Sequence, residues 1–466
     1  MRRESTAGGL KMFKETPSTF RYYLRLLEEK GELRREKKEV NVKYEISAIH
    51  MKTQAERGPA ILFENVKGYN IPVLVNVLST RKRLAIALGL PENADYDTIN
   101  NEIAKRIKER ISPEVISSGP CKEVILNESE LDLRKYPIPI MHEKDAGPYI
   151  TGGFIVAKDP ETGEQNLSYH RLLLKGRNRL GILMEPRHLW HIYKKADERG
   201  EPLNIAVVIG YHPVVGIAAA TGLPLGENEY ALAGALAKEP IQLVKAETSD
   251  LLVPADAEIV LEGVILPKER EIEGPYGEYT GYYGVPGMRP IVEIRKITQR
   301  KDPIYYTITA RSAEMGYYFI AKTVGTFEKI KAAVPTFKRA SFLQTFFFVI
   351  SLKKEREGDG RRAILAALAA NDSIKVCVAV DEDIDPRNPE EVLWAIATRC
   401  NPSKGIFIIP DVFGQSLDPS SEGEGPGRVW SILCIDATKP ITRPFPEKAK
   451  IPSLEEIQRM KEQGLL

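Results

Sequence analysis

Residues 271–284 read EIEGPYGEYTGYYG and form the connection between two predicted strands in the middle part of the chain. Glu273 and Glu278 flank a Gly-Pro-Tyr-Gly turn, where proline at the second position presets φ and glycine at the fourth relieves crowding. The turn brings the two carboxylates back toward each other. Neighbouring charges oppose each other's ionisation, so one acid of such a pair can hold a proton near neutral pH. This suits acid–base chemistry, although a lone pair of glutamates at this spacing is more often an exposed acidic loop.

The region around this turn, residues 121–309, consists of short apolar runs separated by Gly, Pro and Asp-Pro turns. This texture is typical of a strand-rich domain. Strands are predicted at residues 149–158, 164–175, 203–208, 257–266 and 290–297, and helices at residues 189–198 and 229–238. We expect these strands to form a mixed sheet or a partly closed barrel.

The N-terminal part of the chain predicts a small α/β domain. Ser18 is the candidate cap of a helix that carries apolar residues at i, i+3, i+4 and i+7 and stops at Gly31. A hairpin is predicted at residues 60–77, and a second amphipathic helix at residues 96–111.

The C-terminal part alternates strands and helices, which predicts a separate α/β layer domain. The strands are predicted at residues 346–352, 374–380 and 405–409, and the helices at residues 360–370 and 389–400. A capping box at residues 453–456 opens a terminal helix. The predicted fold class is therefore α/β (mixed α+β), with domains at residues 1–118, 119–325 and 326–466.

Composition excludes several classes of partner. The 466 residues include 66 basic and 64 acidic side chains, and a formal charge of +2 gives no electrostatic reason to expect a nucleic acid or an anionic membrane. The four cysteines lie far apart without a CxxC pair, so neither a disulfide framework nor a zinc knuckle is expected. No apolar window is long enough to span a membrane and the N-terminus has no signal-peptide core, so we expect a cytoplasmic protein.

Three further residues have side chains suited to a metal site. An asparagine oxygen such as that of Asn166 is a hard ligand for Mg²⁺ or Mn²⁺, and Arg171 on the same predicted strand offers a planar fork for a carboxylate. Strand alternation puts Asn166 and Arg171 on opposite faces unless a bulge re-aims one of them. His188 and Glu229 each open a predicted helix and would complete a mixed nitrogen and oxygen site. Each signal alone is weak, since a lone histidine is more often structural.

Taken together, the segments resemble the UbiD-type family of reversible decarboxylases that use prenylated FMN. The matching segments occur in family order and span most of the chain: residues 58–78, 137–171, 227–236, 273–284 and 380–402. The resemblance implies a split-barrel-like central domain that binds prenylated FMN and a C-terminal domain that takes part in homo-oligomerisation, as a dimer or a hexamer.

The resemblance also assigns residues to the metal and the cofactor. Asn166, His188 and Glu229 match the positions that coordinate Mn²⁺ or Mg²⁺, which ties the cofactor phosphate to the protein, and members of the family often carry K⁺ beside it. The residues that match cofactor-binding positions are Asn166, Ser168, Arg171, Thr151, Arg187 and His188.

The catalytic set implied by the resemblance is Arg171, Glu273 and Glu278. In that scheme Arg171 pairs with the substrate carboxylate and with Glu273, which stays ionised. Glu278, expected to lie deeper and to be less paired, delivers a proton after CO₂ leaves.

Two segments depart from the family pattern. Ile432 stands where many members carry a lysine, so a cofactor or phosphate contact is lost or is supplied by Arg428 or Lys439. Residues 309–314 lack the Gly-Arg-Pro-Pro pattern that is common after the PIY motif. Neither departure touches the implied metal or catalytic residues.

The substrate implied by the resemblance is a small unsaturated carboxylic acid, and a flavin prenyltransferase is the expected supplier of the cofactor. We favour trans-anhydromevalonate 5-phosphate, an isoprenoid precursor whose phosphate could meet Arg177, Arg179 or Arg311. The alternative is a 4-hydroxybenzoate-type acid of quinone biosynthesis. Two alternatives from other classes are a non-catalytic protein that binds flavin or metal, and a metal hydrolase that uses no flavin.

Overall fold

The computed structural model describes residues 11–224, 226–422, 428–449 and 451–466. The chain forms two compact units, one made of Met1–Glu328 with Phe413–Val429 and the other of Lys329–Val412 with Trp430–Leu466. Both contain helices and strands, so the predicted α/β class is confirmed. The predicted domain boundaries, after residues 118 and 325, stay predictions.

The first unit begins with small helices and strands. They are α1 (Phe20–Glu29), β1 (Leu33–Glu36), α2 (Glu45–Ala55), β2 (Ala60–Phe63), β3 (Val73–Val75), α3 (Arg81–Ala87) and α4 (Tyr96–Arg106). The predicted hairpin is present, because β2 pairs with β3 in antiparallel fashion. The predicted cap of α1 is wrong. Thr19 occupies the N-cap position, and the Asp256 carboxylate, brought in from a distant segment, accepts the hydrogen bond of the Phe20 N–H at 2.6 Å.

The larger part of the first unit is strand-rich, as predicted. Its strands are β4 (Glu114–Val115), β5 (Val124–Leu126), β6 (Tyr149–Ile150), β7 (Gly153–Lys158), β8 (Gln165–Tyr169), β9 (Leu172–Leu174), β10 (Arg179–Ile182), β11 (Leu203–Ile209), β12 (Gln242–Lys245), β13 (Leu252–Pro254), β14 (Ile259–Glu273), β15 (Gly287–Gln299) and β16 (Tyr305–Tyr306). The helices among and after them are α5 (His188–Arg199), α6 (Pro213–Thr221), α7 (Glu229–Ala237), α8 (Ala313–Tyr318) and α9 (Ile320–Ala333).

The main sheet has the strand order β6-β9-β10-β15-β14-β11-β7-β8. Its two ends belong to one bent hairpin, because β6 runs into β7 and β8 runs into β9 with two residues between each pair. Two residues can span at most about 11 Å between flanking Cα atoms. The ends of the sheet therefore meet, and the strand pairing closes into a barrel.

We call the two short connections, residues 151–152 and 170–171, the seam. The seam explains why the predicted strands at residues 149–158 and 164–175 are each interrupted. On one side of the seam β6 pairs with β9, as in the pair Ile150↔Leu172. On the other side β7 pairs with β8, as in the pair Phe154↔Tyr169. Thr151 and Arg171, both predicted site residues, lie at this bend.

The second unit alternates strands and helices as predicted. Its elements are β17 (Phe337–Gln344), β18 (Phe347–Leu352), α10 (Asp359–Ala370), β19 (Val376–Asp381), α11 (Pro389–Arg399), α12 (Pro402–Gly405), β20 (Ile406–Phe413), β21 (Val429–Ala437) and α13 (Leu454–Glu462). The sheet order is β17-β18-β19-β21-β20, with parallel pairing from β18 through β19 to β21. Apolar residues of these strands and of α11 form its core. The capping box of α13 is present.

No helix in the described ranges combines the length and the apolar composition that a bilayer crossing requires. The four cysteines are free thiols, and Cys121, Cys377 and Cys434 are buried, as small apolar side chains would be.

Candidate active site and metal cavity

The seam places the guanidinium of Arg171 between two carboxylates. Glu273 ends β14, and its two oxygens accept hydrogen bonds from Arg171 Nε at 3.0 Å and Nη2 at 2.9 Å. Glu278, in the loop between β14 and β15, accepts one from Arg171 Nη1. All three side chains are nearly inaccessible, at 8%, 1% and 6% exposure respectively. The structure therefore brings the three predicted catalytic residues into one buried cluster.

The depth of Glu278 differs from the sequence expectation, whereas its weaker pairing agrees with it. Glu278 is not deeper than Glu273, and it shares the same guanidinium. Arg171 lies in the break between β8 and β9, outside the paired strands. Its guanidinium can therefore reach both Glu273 and Glu278. Two carboxylates then share one cation, and Glu273 holds it through two parallel hydrogen bonds while Glu278 holds it through one. Glu278 is therefore the less strongly held of the two carboxylates.

The loop that carries Glu278 is folded by its own backbone. The Glu278 N–H donates to the Tyr282 carbonyl, and the Gly284 N–H donates to the Tyr276 carbonyl, each at 2.9 Å. A Cβ on Gly284 would lie 2.9 Å from Glu278 Oε1 and 3.6 Å from Arg171 Nη2. Glycine at position 284 thus leaves room for the Glu278 carboxylate beside Arg171.

An aromatic cluster lies beneath the guanidinium. Arg171 Cζ lies 5.2 Å from the centre of the Tyr276 ring, which packs on Tyr149 at 4.5 Å. Leu173 and Ala310 complete this buried cluster. The cation–π contact helps to hold Arg171 in place. Sequence reasoning used Tyr276 only as part of a turn, and the signal available was its position between the two predicted acids.

Asn166 on β8, His188 at the start of α5 and Glu229 at the start of α7 line one cavity of about 120 Å³. Asn166 Nδ2 donates to Glu229 Oε1 at 2.9 Å. Asn166 Oδ1 and Glu229 Oε2 are buried and have no hydrogen-bond partner among the residues that the structure describes. Buried oxygens without partners are costly, and a hard divalent cation would satisfy both. The donor set therefore fits Mn²⁺ or Mg²⁺.

The electrostatics of this cavity agree with a cation. Burial raises the pKa of Glu229 to about 7, and burial also lowers the pKa of His188. A bound divalent ion would favour the ionised carboxylate and the neutral imidazole, which are the forms that ligate. Within the described ranges no group of three or more His, Cys, Asp or Glu side chains has metal-binding geometry. The predicted trio is not such a group, because its third member is the amide of Asn166.

The remaining predicted residues have partners within the protein. The Thr151 hydroxyl donates to the Ile308 carbonyl at 2.7 Å, and Ser168 Oγ lies 3.1 Å from His170 Nε2. Arg187 occupies the N-cap position of α5, directly before His188. Lys195, on the same helix, also lines the cavity around Asn166 and pairs with Asp159 at 2.8 Å. Sequence reasoning missed Lys195, because its helix position gave no sign of the cavity.

The three arginines named for a substrate phosphate differ in position. Arg177 donates to the Leu131 carbonyl at 2.7 Å, and Arg179 pairs with Glu269. Arg311 lies beside the Glu278 loop, since a Cβ on Gly281 would be 3.2 Å from its Nη1. Arg311 is exposed and has a positive φ of 63°.

Family models for 3-octaprenyl-4-hydroxybenzoate carboxy-lyase match three parts of the chain. They are the N-terminal domain at residues 24–103, the Rift-related domain at residues 114–312 and the C-terminal domain at residues 330–437. Two relatives are named anhydromevalonate phosphate decarboxylase. The one from Methanosarcina mazei is 38% identical over 90% of this chain and 96% of its own length, and the one from Methanothermobacter thermautotrophicus is 36% identical over 82% and 88%.

Two solved structures of the UbiD-class enzyme HmfF from Pelotomaculum thermopropionicum share the fold. The complex with FMN is 41% identical, with a TM-score of 0.86 over 95% of this chain and 99% of that one. An evolved dimeric form in complex with prFMN is 38% identical, with a TM-score of 0.83 over 94% and 98%.

The chain belongs to the UbiD family. It is a carboxy-lyase of that class, a decarboxylase, as the sequence resemblance predicted. This membership sets aside the interpretations as a non-catalytic binding protein and as a metal hydrolase.

Proposed function

We propose that the chain is a decarboxylase of an α,β-unsaturated acid that depends on prenylated FMN and a divalent metal, with trans-anhydromevalonate 5-phosphate as its favoured substrate. The observation that carries the reaction is the buried cluster in which Arg171 bridges Glu273 and Glu278. Support for the substrate comes from the shared name of the two relatives.

Asn166, His188 and Glu229 would hold Mn²⁺ or Mg²⁺, and with it the cofactor phosphate, with K⁺ as a further ion nearby. The two buried oxygens in their cavity that lack a hydrogen-bond partner in the described part of the chain support this assignment. Thr151, Ser168 and Arg187 would line the cofactor site. When bound, prenylated FMN supplies an electron sink for the negative charge left on carbon as CO₂ departs.

The protein's own part is to orient the acid and to move one proton. Arg171 donates three hydrogen bonds within the described protein, so two of its five N–H groups remain for a substrate carboxylate. The bond between the carboxylate carbon and its neighbour breaks and CO₂ leaves. The neighbouring carbon takes the proton of Glu278, which solvent then replaces. Glu273 holds Arg171 through two hydrogen bonds and fixes its orientation throughout.

The experiment is a comparison of two acids on the holoenzyme. The chain is coexpressed with a flavin prenyltransferase, and the bound flavin is identified by absorption and mass. We then expect CO₂ release from trans-anhydromevalonate 5-phosphate and none from 4-hydroxybenzoate. Release only from the hydroxybenzoate would overturn the substrate, and protein that never retains a modified flavin would overturn the cofactor.

The second candidate is a 4-hydroxybenzoate-type acid, because the matching family is described by a 3-octaprenyl-4-hydroxybenzoate carboxy-lyase activity. The same assay decides between the two. We also propose a homo-oligomer, a dimer or a hexamer, assembled through the C-terminal part of the chain.

A further inference from the structure

The carboxylate of Asp145 organises a short loop beside the Glu278 loop. Its side chain is completely buried. Oδ2 accepts the backbone N–H groups of Met141 at 3.2 Å and His142 at 2.9 Å, and Oδ1 accepts the backbone N–H of Gly277 at 2.9 Å. We call residues 141–146 the clasp. One carboxylate thus joins the clasp to the residue directly before Glu278.

Two more hydrogen bonds join the clasp to the same loop. The Ala146 N–H donates to the Pro275 carbonyl at 2.8 Å, and the Lys144 N–H donates to the Tyr283 hydroxyl at 3.1 Å. The contacts at residues 275, 277 and 283 lie on both sides of Glu278. The loop is therefore held at its two ends while the Glu278 side chain reaches Arg171.

The imidazole of His142 fills the space next to Gly277. His142 Nδ1 lies 3.1 Å from Asp145 Oδ2, and the ring packs edge-on against Tyr276 and Tyr283. A Cβ at position 277 would collide with this ring. The clasp and the Glu278 loop therefore fit together closely, and a shift of one moves the other.

We propose that Asp145 is a positioning residue that holds Glu278 against Arg171 for proton transfer. The inference rests on the proposed function, in which Glu278 supplies the proton. Asp145 acts through the Gly277 N–H and not by contact with the reacting atoms. A hydrogen bond from a backbone N–H to an ionised carboxylate is stronger than a neutral one, which suits a fixed anchor. Displacement of a catalytic group by about 1 Å can lower the rate about 100-fold.

The substitution D145N changes the hydrogen bonds that Asp145 can accept while it keeps the size of the side chain. Asparagine has the same shape but only one acceptor oxygen, and its NH₂ group would face a backbone N–H in either orientation. The variant therefore keeps either the hydrogen bond to Gly277 or those within the clasp, and loses the other. The matched control is E143Q, which removes a charge from an exposed side chain of the same clasp.

The test uses holoenzyme from coexpression with a flavin prenyltransferase, and measures kcat, KM, bound flavin per chain and melting temperature. We expect D145N to lower kcat at least about 10-fold, with KM and flavin content within about twofold of the control. A crystal structure of D145N should show Glu278 displaced from Arg171. G277A adds a methyl group that displaces His142 and leaves the Asp145 side chain itself unchanged. We expect this variant to lower kcat to the same extent as D145N, with KM unchanged. It replaces D145N in the test if D145N does not fold.

Three outcomes would overturn the inference. They are a kcat equal to that of E143Q, wild-type kcat in G277A, or a loss of kcat that only parallels lost flavin and lowered melting temperature. Failure of the proposed function looks different, because E278Q itself would then turn over normally whatever happens at Asp145.

Discussion

Glu278 and Glu273 are chemically identical side chains that one guanidinium distinguishes by the number of hydrogen bonds it donates to each. Replacing Glu278 by glutamine keeps an acceptor for Arg171 Nη1 but removes the exchangeable acid proton. We expect E278Q to lower kcat at least about 100-fold, because general acid catalysis commonly contributes that much. Bound flavin and melting temperature should be unchanged. CO₂ release, absorption spectra and thermal unfolding measure the three quantities.

The matched control for this variant is E271Q, on β14 shortly before the loop that carries Glu278. Glu271 is 37% exposed and lies near Lys175 and Arg179 at the surface. Its substitution should leave kcat within about twofold of wild type, since exposed ion pairs contribute little. Equal losses in the two variants would mean that charge on β14, and not an acid at position 278, supports turnover.

His188 offers a test of the metal site with a control one turn away. H188N replaces a proposed ligand that lines the cavity, whereas H191N changes an exposed residue of the same helix. We expect H188N purified in the presence of Mn²⁺ and then dialysed to lose most of its metal, and H191N to retain it. Elemental analysis measures the metal per chain. Full metal content in H188N would remove His188 from the ligand set.

At the scale of residues, the sequence predicted which side chains lie near each other, but not which hydrogen bonds they make. The family resemblance grouped Asn166, His188 and Glu229. These residues line one cavity, although 63 positions separate the first from the last. It did not reveal Asp145, because the contact that matters is with a backbone N–H, and backbone donors look alike at every position. It also misjudged Glu278, whose pairing depends on where Arg171 leaves the strand.

At the scale of elements, periodicity identified most helices and strands, while their ends depended on tertiary contacts. The helix predicted at residues 96–111 ends at Arg106, which is buried and donates to the Leu88 carbonyl at 2.8 Å. The cap of α1 comes from Asp256, far along the chain. The predicted strands at residues 149–158 and 164–175 also ran through the bend at the seam, which only the strand pairing reveals. Local sequence does not encode the partner that ends an element.

The junction of β16 and α8 holds a buried acid whose titration can be measured. Glu314 Oε1 accepts hydrogen bonds from the Leu78 N–H at 2.8 Å and the Tyr306 hydroxyl at 2.9 Å, and Tyr306 lies 2.8 Å from the Tyr318 hydroxyl. Arg83, on α3, is the cation that acts on it from a distance. Burial is the largest influence and raises the pKa of Glu314 from 4.5 to about 7.

This shift predicts how stability depends on pH. Because the pKa of the folded state lies above that of the unfolded chain, the folded state binds more protons between pH 4.5 and about 7. The stabilisation is complete below that range and is lost as pH rises through it, by at most about 1.4 kcal/mol per pH unit. E314Q mimics the protonated acid. We therefore expect its melting temperature, relative to wild type, to be higher at pH 8 than at pH 5.

Thermal unfolding at both pH values checks the expectation, with E128Q at an exposed position as the control. The control should differ from wild type by the same amount at both pH values. If the difference for E314Q is also the same at pH 5 and pH 8, Glu314 does not titrate in this range.

At the scale of the molecule, the second unit presents apolar side chains that nothing in the described chain covers. Helix α13 has no buried residue, and Leu454 at its start is 86% exposed. Strand β20 ends the sheet order and exposes Ile406 at 37% and Ile408 at 63%. Exposed apolar surface of this kind marks an association surface, and an edge strand can pair with another chain.

We therefore expect light scattering with size-exclusion chromatography to show a homo-oligomer. Removal of residues 451–466 should lower its mass or raise the concentration at which it dissociates. The control is L189A, a core substitution in the first unit, which should lower stability without changing the mass. A wild-type chain that is monomeric at all concentrations would contradict the oligomer.

The seam also limits how the protein can change length during evolution or engineering. Each of its two connections joins strands that pair with different neighbours, so one added residue at positions 151–152 or 170–171 would move every following side chain of that strand to the opposite face. An insertion at positions 170–171 would then disturb the placement of Arg171 between Glu273 and Glu278. Length variation is therefore expected at surface turns such as residues 160–163, and tolerance of single insertions should be lowest at the seam.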